Sequence, residues 1–552
     1  MRKTSCSAKL TTRTIRFLFI TGLLVLCAYV VILASVPPVS RDALTHHLAV
    51  PKLYLEHGGI YEIPELLFSY YPMNLDLLYL IPLAFGNDII PKYIHFAFAL
   101  LTSFLIYSYL KNRIGETWGL LGSLFFLSIP VIIKLSTTVY VDLGLLFFTT
   151  ASVLLLFRWA KNGYRLRDLS LAALCCGLAV GTKYNGLIGL LLLSGMAPIL
   201  YSRSHPERSD SKKMILYGAI FAFIALATAS PWFIRNYVWT GNPLYPLFQQ
   251  IFSPTIQQNR PAGLGILATR HLVYGETPLQ ILMLPFRVFL EGQDNNPQYF
   301  DGKLNPFLLI LPVMAFLRQK QARIVSLEKV AMLIFSILFF LFAMFQTDMR
   351  IRYIAPIVPF LVILSILGLQ SFYSFLTNHL HKRLATLFIS ILILSILSYN
   401  LNYLTKLHDE VQAFAYISGK VDRDTYITLF RPEYPVIQKA NMLLPTKTLC
   451  LFLGNRGYYM NFRHIFDVPT NKRSYFTGLV THSTDAAAIA NELIQDGFSH
   501  LLVRNDLTNN WLQHLGQHQE ITAFFFHHQL RLVYTAKGYS LFLIKLGIPT
   551  SQ

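Results

Sequence analysis

Charged residues are scarce in this chain. Asp, Glu, Lys and Arg make up 14% of its 552 residues, whereas hydrophobic residues make up 54%. Soluble proteins carry about a quarter charged residues, so this composition excludes an ordinary soluble enzyme and indicates that lipid is the main solvent. Apolar runs of about 20 residues, long enough to cross a bilayer, recur from Phe17 to Tyr403 and then stop.

Cysteine is also rare. The five cysteines are Cys6, Cys27, Cys175, Cys176 and Cys450. Four of them fall in the N-terminal tail or in apolar runs, which leaves Cys450 alone in the polar C-terminal region. A disulfide framework is therefore not expected, and no CxxC pair is present to bind a metal.

Acidic residues are the scarcer charged class. The chain has 28 Asp and Glu against 47 Lys and Arg, a formal net charge of +19. The basic residues cluster in short segments between apolar runs, which is the pattern of cytoplasmic loops. The polar C-terminal region carries no basic stripe interleaved with aromatic residues, so nucleic-acid binding is not predicted. The charge is mainly a signal of membrane topology.

The alternation of apolar runs and basic loops predicts a polytopic α-helical membrane protein. It has about 11 transmembrane helices, followed by a small C-terminal α/β soluble domain. We assign residues 1–404 to the transmembrane domain, with a first outer loop at 37–90 and a second long outer loop at 233–305. The N-terminus is then cytoplasmic, and an odd number of crossings places the domain 405–552 on the outer side of the membrane.

Some apolar segments are short for a membrane span. We interpret Leu75–Phe85 and Leu279–Leu290 as interfacial or re-entrant segments. Leu169–Thr182 and Pro306–Leu317 fit the alternation of basic loops, so we count both as crossings.

The C-terminal region has the signatures of a soluble α/β fold. The predicted elements are strands at Lys447–Leu453 and His500–Val503, a helix at Thr484–Asp496 capped by Ser483 or Thr484 and stopped by Gly497, and a hairpin of Leu530–Thr535 and Tyr539–Lys545 that turns at Lys537-Gly538. The GNRG sequence at Gly454–Gly457 lacks the further Gly and Lys of a phosphate-binding loop, so we interpret it as a plain turn.

Few acidic residues lie at the predicted outer rim of the membrane, where charged residues tend to mark function. Asp42 follows the first helix and Asp142 begins the fourth. Two carboxylates in one outer cleft suit a general base and a metal or substrate anchor. His46 lies four residues after Asp42 and shares its face on a helix. The alternative is that Asp42 only caps this helix.

The helix that begins near Asp42 also carries an apolar stripe. The stripe consists of Leu44, Leu48, Pro51 and Leu55. Such a stripe predicts a helix that lies on the membrane surface.

Basic residues on the outer side are notable because the positive-inside rule makes them scarce there. Lys183, Arg235, Arg350 and Arg352 all occupy predicted outer helix ends. Arg forks match phosphate oxygens bidentately and Lys supplies a point charge, so this group is a candidate binding site for a lipid phosphate. The alternative for each side chain is snorkelling to lipid head groups.

Several segments carry a resemblance to a known family. They are the first-loop acid Asp42, the YVD at Tyr140–Asp142, GTKYNGL at Gly181–Leu187, SPWFIRNYVWTGNPLYPLF, NPQYFDGKLNPF and RYIAPIVPF. In the order and position of these segments the chain resembles the GT-C superfamily of integral-membrane glycosyltransferases. It is most similar to the bacterial branch with protein mannosyltransferases and the lipid A aminoarabinose transferase. The resemblance runs from about Phe17 to Leu369.

The resemblance implies an inverting hexosyl- or pentosyltransferase. Its donor is a polyprenyl-phosphate or polyprenyl-diphosphate sugar at the outer face of the membrane. By the same resemblance, Asp42 activates the acceptor hydroxyl and Asp142 supports the site. Candidate acceptor-binding or supporting residues are His46, Tyr140, Tyr184 and Asn242. Many members carry an acidic pair in this loop, whereas Ala43 follows Asp42 here, which favours the bacterial members with a D-A-L-x-x-H-like loop.

Several alternatives stay open. A divalent metal held by Asp42 and Asp142 is one of them, and no other cofactor is indicated. The acceptor is a lipid, a glycan or a protein. A transporter or flippase of lipid-linked sugars is a different function, typically marked by internal repeats and ionisable residues near the bilayer midplane. A surface-polysaccharide polymerase or ligase would differ from the first hypothesis only in its acceptor.

Overall fold

The computed structural model describes residues 2–204, 210–252, 265–317, 323–345, 349–471 and 473–545. They form two compact units. The first, the membrane unit, comprises Met1–Ser35, Tyr70–Pro82 and Ile89–Ala413. The second, the sheet unit, comprises Val36–Ser69, Leu83–Asp88 and Phe414–Gln552. The sheet unit therefore joins part of the predicted first outer loop to the C-terminal region.

Long apolar helices dominate the membrane unit, because helices satisfy every backbone polar group internally in a solvent without hydrogen bonds. Eight helices among the described residues are long and apolar enough to cross a membrane: Arg13–Ala34, Ile90–Ile114, Asp142–Lys161, Gly186–Ser204, Ser211–Thr240, Ile324–Met344, Ile351–His379 and Lys382–Val411. A ninth span arises if Glu116–Ser128 and Pro130–Ser136, which bend by 67° at their junction, are one crossing.

Two of the predicted crossings are shorter than that length. The predicted span Leu169–Thr182 is the 15-residue helix Leu166–Val180. The predicted span Pro306–Leu317 is the 8-residue helix Phe307–Met314. The polytopic fold class is confirmed, and the number of crossings is approximate because these two helices do not reach the usual span length.

The segments between the long helices contain further short helices. They are Asn74–Ala84, Gln249–Phe252, Ile266–Leu272, Pro278–Leu282 and Leu284–Leu290, with 3₁₀ turns at Leu67–Tyr70, Pro297–Tyr299 and Ile351–Ile357. The helix Ser211–Thr240 runs eight residues beyond Trp232, where we predicted the second long loop to begin. The segments predicted as interfacial or re-entrant are thus short helices, and residues 253–264 of the predicted loop lie outside the described residues.

Close helix packing in the membrane unit depends on a glycine. Gly368 lies in helix Val358–His379, which packs against helix Phe307–Met314. A Cβ atom added at Gly368 would lie 2.2 Å from the carbonyl oxygen of Leu311 and 3.2 Å from the amide of Ala315. Small residues at helix interfaces let two backbones approach in this way.

The sheet unit contains one five-stranded sheet in the order β2-β1-β3-β5-β4. The strands are β1 (Thr448–Leu451), β2 (His464–Asp467), β3 (His500–Arg504), β4 (Leu530–Ala536) and β5 (Tyr539–Ile544). β1 pairs in parallel with β2 and β3, and β5 pairs antiparallel with β3 and β4. Its helices are Ala49–His57, Arg423–Phe430, Tyr434–Leu443, Tyr475–His482, Ala486–Gln495, Asn505–Gln513 and Gln519–Phe524.

Side chains alternate between the two faces of the sheet along β1, and each face packs against a hydrophobic core. Leu449 and Leu451 face a core with helices Tyr475–His482 and Ala486–Gln495. Cys450 faces a second core that contains Val436 and Ile437 of helix Tyr434–Leu443. The predicted α/β domain is therefore a sheet between two helical layers.

Two local predictions need correction. The cap of helix Ala486–Gln495 is Asp485, whose side chain accepts from the Ala488 amide, and not Ser483 or Thr484. The apolar stripe after Asp42 is mostly covered by protein, because Leu44 and Leu48 are 2% and 0% exposed and Pro51 is buried, whereas Leu55 is 39% exposed. It is therefore not the free apolar face that we predicted for a helix on the membrane surface.

The first prediction concerns the Gly368 contact. We expect Gly368→Ala to lower the free energy of unfolding by about 1–3 kcal/mol, because the added methyl group must separate two closely packed helices. Thermal unfolding of the purified protein in detergent measures the change.

Gly195→Ala is the matched control, because a Cβ at Gly195 meets nothing within 4 Å and the residue also lies within a membrane helix. Replacing an unobstructed helical glycine by alanine stabilises by about 0.5–1 kcal/mol. Equal melting temperatures for both variants would contradict the packing argument.

Candidate active site

A buried ion pair joins the ends of neighbouring helices in the membrane unit. Asp142 is the first residue of helix Asp142–Lys161 and is 1% exposed. Lys183 lies in the turn between helices Leu166–Val180 and Gly186–Ser204, and its Nζ donates to Asp142 Oδ1 at 2.6 Å. The helix dipole also favours a carboxylate at this first position. The structure thus brings together the predicted acidic residue Asp142 and the predicted phosphate-binding residue Lys183.

The backbone beside Asp142 is held by a histidine. His95 Nε2 accepts a hydrogen bond from the Leu143 amide at 3.0 Å, so the proton must be on Nδ1, which donates to Leu135 O at 2.9 Å. Asp142 Oδ2 is buried and accepts no hydrogen bond from the residues that the structure describes. One oxygen of this carboxylate is therefore paired with Lys183 while the other has unused acceptor capacity.

A second cation faces the same carboxylate. The guanidinium of Arg352 interacts electrostatically with Asp142 and lies over the ring of Tyr140, 4.9 Å from its centroid. The ring of Tyr353 is 5.4 Å from Arg352 Cζ and 5.2 Å from Lys183 Nζ. We call these five residues the Asp142 cluster. Within these five residues two cations accompany one carboxylate, a balance that suits an anionic ligand.

Arg235 lies in an aromatic setting on helix Ser211–Thr240. Its guanidinium is 4.6 Å from the Trp232 ring centroid and 4.8 Å from that of Trp239. It also donates to Asn236 Oδ1 at 2.9 Å. The rings and the amide hold the guanidinium in one orientation.

Asn236 links Arg235 to the predicted residue Tyr184. Asn236 Nδ2 donates to Tyr184 OH at 3.0 Å, and Tyr184 OH donates to Tyr245 O at 2.9 Å. Tyr184 directly follows Lys183 in the chain. Arg235 is therefore linked to the Asp142 cluster through Asn236, Tyr184 and the neighbouring Lys183.

Two other predicted residues have contacts typical of structural roles. Arg350 Nη1 lies 3.3 Å from Asp301 Oδ2. Asn242 closes the turn after its helix, because its Nδ2 donates to Leu247 O at 2.8 Å and its Oδ1 accepts from the Leu244 amide at 2.9 Å. These bonds stabilise the loop backbone.

Asp42 and His46 belong to the sheet unit. Asp42 is half-buried and directly precedes a π-helix at Ala43–His47, a rare element that occurs often at functional sites. The ring of His46 stacks on Phe68 with 4.6 Å between centroids. The pairing of Asp42 with Asp142 in one cleft stays a prediction.

The surroundings of Asp142 do not suit a divalent metal. Its carboxylate faces the cations Lys183 and Arg352, which would repel a metal ion. Among the described residues no group of three or more His, Cys, Asp or Glu side chains is arranged to hold a metal.

Sequence reasoning missed three residues of these networks: His95, Asn236 and Tyr353. The helical spacing of Trp232, Asn236 and Trp239 around Arg235 was a usable signal. His95 is an ionisable residue within an apolar run, which also marks function. No local pattern links His95 to Asp142, because the two lie on different helices.

Comparison with known proteins indicates the family that the chain resembles. The family model of dolichyl-phosphate-mannose-protein mannosyltransferase matches residues 77–234, which include Asp142 and Lys183. No curated protein matches the chain.

Solved structures match almost the whole chain. ArnT from Cupriavidus metallidurans bound to undecaprenyl phosphate has a TM-score of 0.59 at 14% identity, covering 97% of this chain and 98% of that chain. The archaeal oligosaccharyltransferase AglB from Archaeoglobus fulgidus, in complex with an inhibitory peptide and a dolichol-phosphate, has a TM-score of 0.50 at 12% identity, covering 97% of this chain and 75% of that chain. The chain has the fold of the GT-C glycosyltransferases, and the predicted resemblance is confirmed.

The second prediction concerns the buried ion pair. Lys183→Met leaves the Asp142 carboxylate without its nearest cation, so we expect the free energy of unfolding to fall by about 3–5 kcal/mol. Thermal unfolding in detergent measures this loss.

The double variant Asp142→Asn, Lys183→Met is the control, because it removes both charges and should recover most of the lost stability. A single Lys183→Met variant as stable as the double variant would rule out the structural importance of the pair.

Proposed function

We propose, from the shared fold and the Asp142 cluster, that this protein is a membrane glycosyltransferase with a lipid-linked donor. It transfers a sugar from a polyprenyl phosphate or diphosphate to an acceptor hydroxyl on the outer face of a bacterial plasma membrane. The excess positive charge of the Asp142 cluster is the observation that carries the proposal. Support also comes from ArnT, whose structure contains undecaprenyl phosphate.

A phosphate is the anion that this cluster suits best. Arg352 presents a planar guanidinium held against Tyr140 and Tyr353, and Lys183 presents an ammonium beside it. Such groups form charge-assisted hydrogen bonds to phosphate oxygens. In the proposed reaction they bind the carrier phosphate and stabilise the negative charge that develops as it leaves. Arg235 is a further candidate for this phosphate.

Asp42 is the proposed general base. Its carboxylate takes the proton of the acceptor hydroxyl, and the acceptor oxygen forms a bond to the anomeric carbon of the sugar. The bond between that carbon and the phosphate oxygen breaks, and its electron pair stays on the carrier phosphate. Attack from the face opposite the leaving group inverts the anomeric configuration. The transferred sugar is a hexose or a pentose, and the acceptor is a lipid, a glycan or a protein.

The third prediction tests the general base. We expect Asp42→Asn to lower transfer at least about 100-fold, within the range that general-base catalysis supplies, because an amide cannot accept the proton. The assay uses membranes of the source organism that lack the native protein, supplied with lipid-linked sugars extracted from the same strain. Transfer is followed by mass analysis of the glycans.

Glu65→Gln is the matched control, because Glu65 is an exposed acid on the same loop. We expect this variant to transfer at the wild-type rate. Wild-type transfer by Asp42→Asn would contradict the assigned role.

The fourth prediction tests the phosphate site. We expect Arg352→Gln to weaken binding of undecaprenyl phosphate by about tenfold or more, because each hydrogen bond from a charged donor contributes about 1.5–3 kcal/mol. Titration of the purified protein in nanodiscs with undecaprenyl phosphate measures the affinity.

Lys303→Gln provides the comparison for lost charge alone, since Lys303 lies over the ring of Tyr399 and outside the Asp142 cluster. The affinity of the Lys303→Gln variant for undecaprenyl phosphate should match that of the wild type. Equal affinities for all three proteins would argue against a phosphate at Arg352.

A further inference from the structure

The backbone on both sides of Asp42 is held by the C-terminal part of the sheet unit. Tyr459 OH donates to Pro38 O at 2.8 Å, and Arg431 donates to Val39 O. On the other side, the amide of Tyr458 donates to Leu44 O at 3.1 Å. Three carbonyls of the segment 38–44 therefore accept hydrogen bonds from residues about 400 positions later in the chain.

Lys52, on the first outer loop, donates hydrogen bonds to the turn Gly457–Asn461, which contains Tyr458 and Tyr459. Its Nζ donates to Tyr458 O at 3.0 Å, to Met460 O at 3.0 Å and to Asn461 Oδ1 at 2.7 Å. An ammonium has three donors, and these bonds use all of them. Glu56, one turn further along the helix, lies 3.7 Å from Lys52 Nζ. The loop and the turn thus hold each other through bonds in both directions.

The turn Gly457–Asn461 is itself firmly fixed. Asn441 Nδ2 donates to Tyr459 O at 2.9 Å, and Asn441 Oδ1 accepts from the Asn461 amide at 2.8 Å. A Cβ atom at Gly457 would lie 2.7 Å from His464 Nε2, so a larger residue here would displace the His464 ring. The turn therefore connects helix Tyr434–Leu443 to the first outer loop, because it bonds to Asn441 on one side and to Leu44 and Lys52 on the other.

The far end of the first outer loop is attached to the same region. Arg423 Nη2 lies 2.5 Å from Asp88 Oδ2, and Tyr458 OH donates to the same oxygen at 3.3 Å. Asp88 is 4% exposed, whereas the Arg423 side chain is 41% exposed, so the carboxylate is buried and the guanidinium reaches solvent. Tyr458 thus contacts both ends of the loop, through its amide at Leu44 and through its hydroxyl at Asp88.

We propose that Lys52 and the turn Gly457–Asn461 form a positioning latch that sets the backbone of Asp42 for proton abstraction. This inference rests on the proposed role of Asp42 as the general base. Lys52 acts on Asp42 through the turn, which bonds the backbone beside Asp42 at Pro38 and Leu44, so Lys52 is a positioning residue. A displacement of a reacting group by about 1 Å can cost about 100-fold in rate, which is why such a latch has catalytic value. The C-terminal domain contributes to the reaction by holding a residue that lies near the other end of the chain.

The fifth prediction tests the latch with Lys52→Met, which removes three hydrogen bonds and leaves the side chain of Asp42 untouched. Amide hydrogen exchange of the full-length protein in nanodiscs reports on residues 43–50. We expect exchange there to rise at least about tenfold, because the bonds from a charged donor are lost. In the membrane assay, transfer should fall about 100-fold at saturating donor. The affinity for undecaprenyl phosphate should stay within about twofold of the wild type, because a positioning residue changes the transition state and leaves donor binding intact.

Two further variants refine the test. Lys52→Arg keeps donors at this position and should recover part of the exchange protection and of the transfer rate. Asn461→Ala removes one of the three bonds and should show the same changes in smaller size, so it carries the test if Lys52→Met does not fold. Lys447→Met is the matched control, because Lys447 Nζ donates to the backbone carbonyl of Asp496 in the same domain.

The outcomes separate the two proposals. Lys52→Met with wild-type exchange at residues 43–50, or with raised exchange and a wild-type transfer rate, would overturn the latch. Wild-type transfer by Asp42→Asn would overturn the general base instead, whatever the exchange data show. Loss of transfer in Lys52→Met and in Asp42→Asn, with wild-type affinity for undecaprenyl phosphate, supports both the latch and the general base.

Discussion

A carboxylate in apolar surroundings needs a nearby cation, and in the membrane unit this requirement joins Asp142 to Lys183. Asp142 is almost fully buried and depends on Lys183 at 2.6 Å. An unpaired charge at such a position costs several kcal/mol, so the helix ends that carry the two residues are held together. Arg352 brings the start of helix Val358–His379 to the same carboxylate. The positive charge left over after this pairing is what makes the cluster useful for an anionic substrate.

In the proposed reaction the two units have different tasks. The membrane unit supplies fixed positive charge, which suits a carrier phosphate whose lipid tail is in the bilayer. The sheet unit supplies Asp42, which acts on the acceptor. Each group is oriented by neighbours that do not react: His95 fixes the backbone next to Asp142, and the turn Gly457–Asn461 fixes the backbone next to Asp42. Such preorganisation lowers the cost of reaching the transition state.

Local features were predictable from the sequence, whereas long-range contacts were not. Most membrane helices follow from apolar length alone. Gly497 and Gly538 correctly mark a helix end and a hairpin turn, because the positive φ angles there favour glycine. Asp142 was predicted as a site residue because charged residues at membrane depth tend to mark function, and Lys183 because basic residues are scarce on the outer side of a membrane. The interpretation of Leu44 and Leu48 was wrong because an apolar stripe does not say whether protein or lipid covers it. The bonds of Tyr458 and Lys52 have no local signature, because each depends on how distant segments pack.

The link between the first outer loop and the C-terminal domain has a consequence for the synthesis of the protein. The bond from Lys52 to Tyr458 joins residues that are 406 positions apart. Chain elongation at about 5–20 residues per second separates the two by about 20–80 s. During that interval the loop has no turn to bind, and Asp42 lacks the neighbours that orient it. In the proposed reaction, a nascent chain that ends before Tyr458 therefore has an Asp42 that is not yet positioned for proton abstraction.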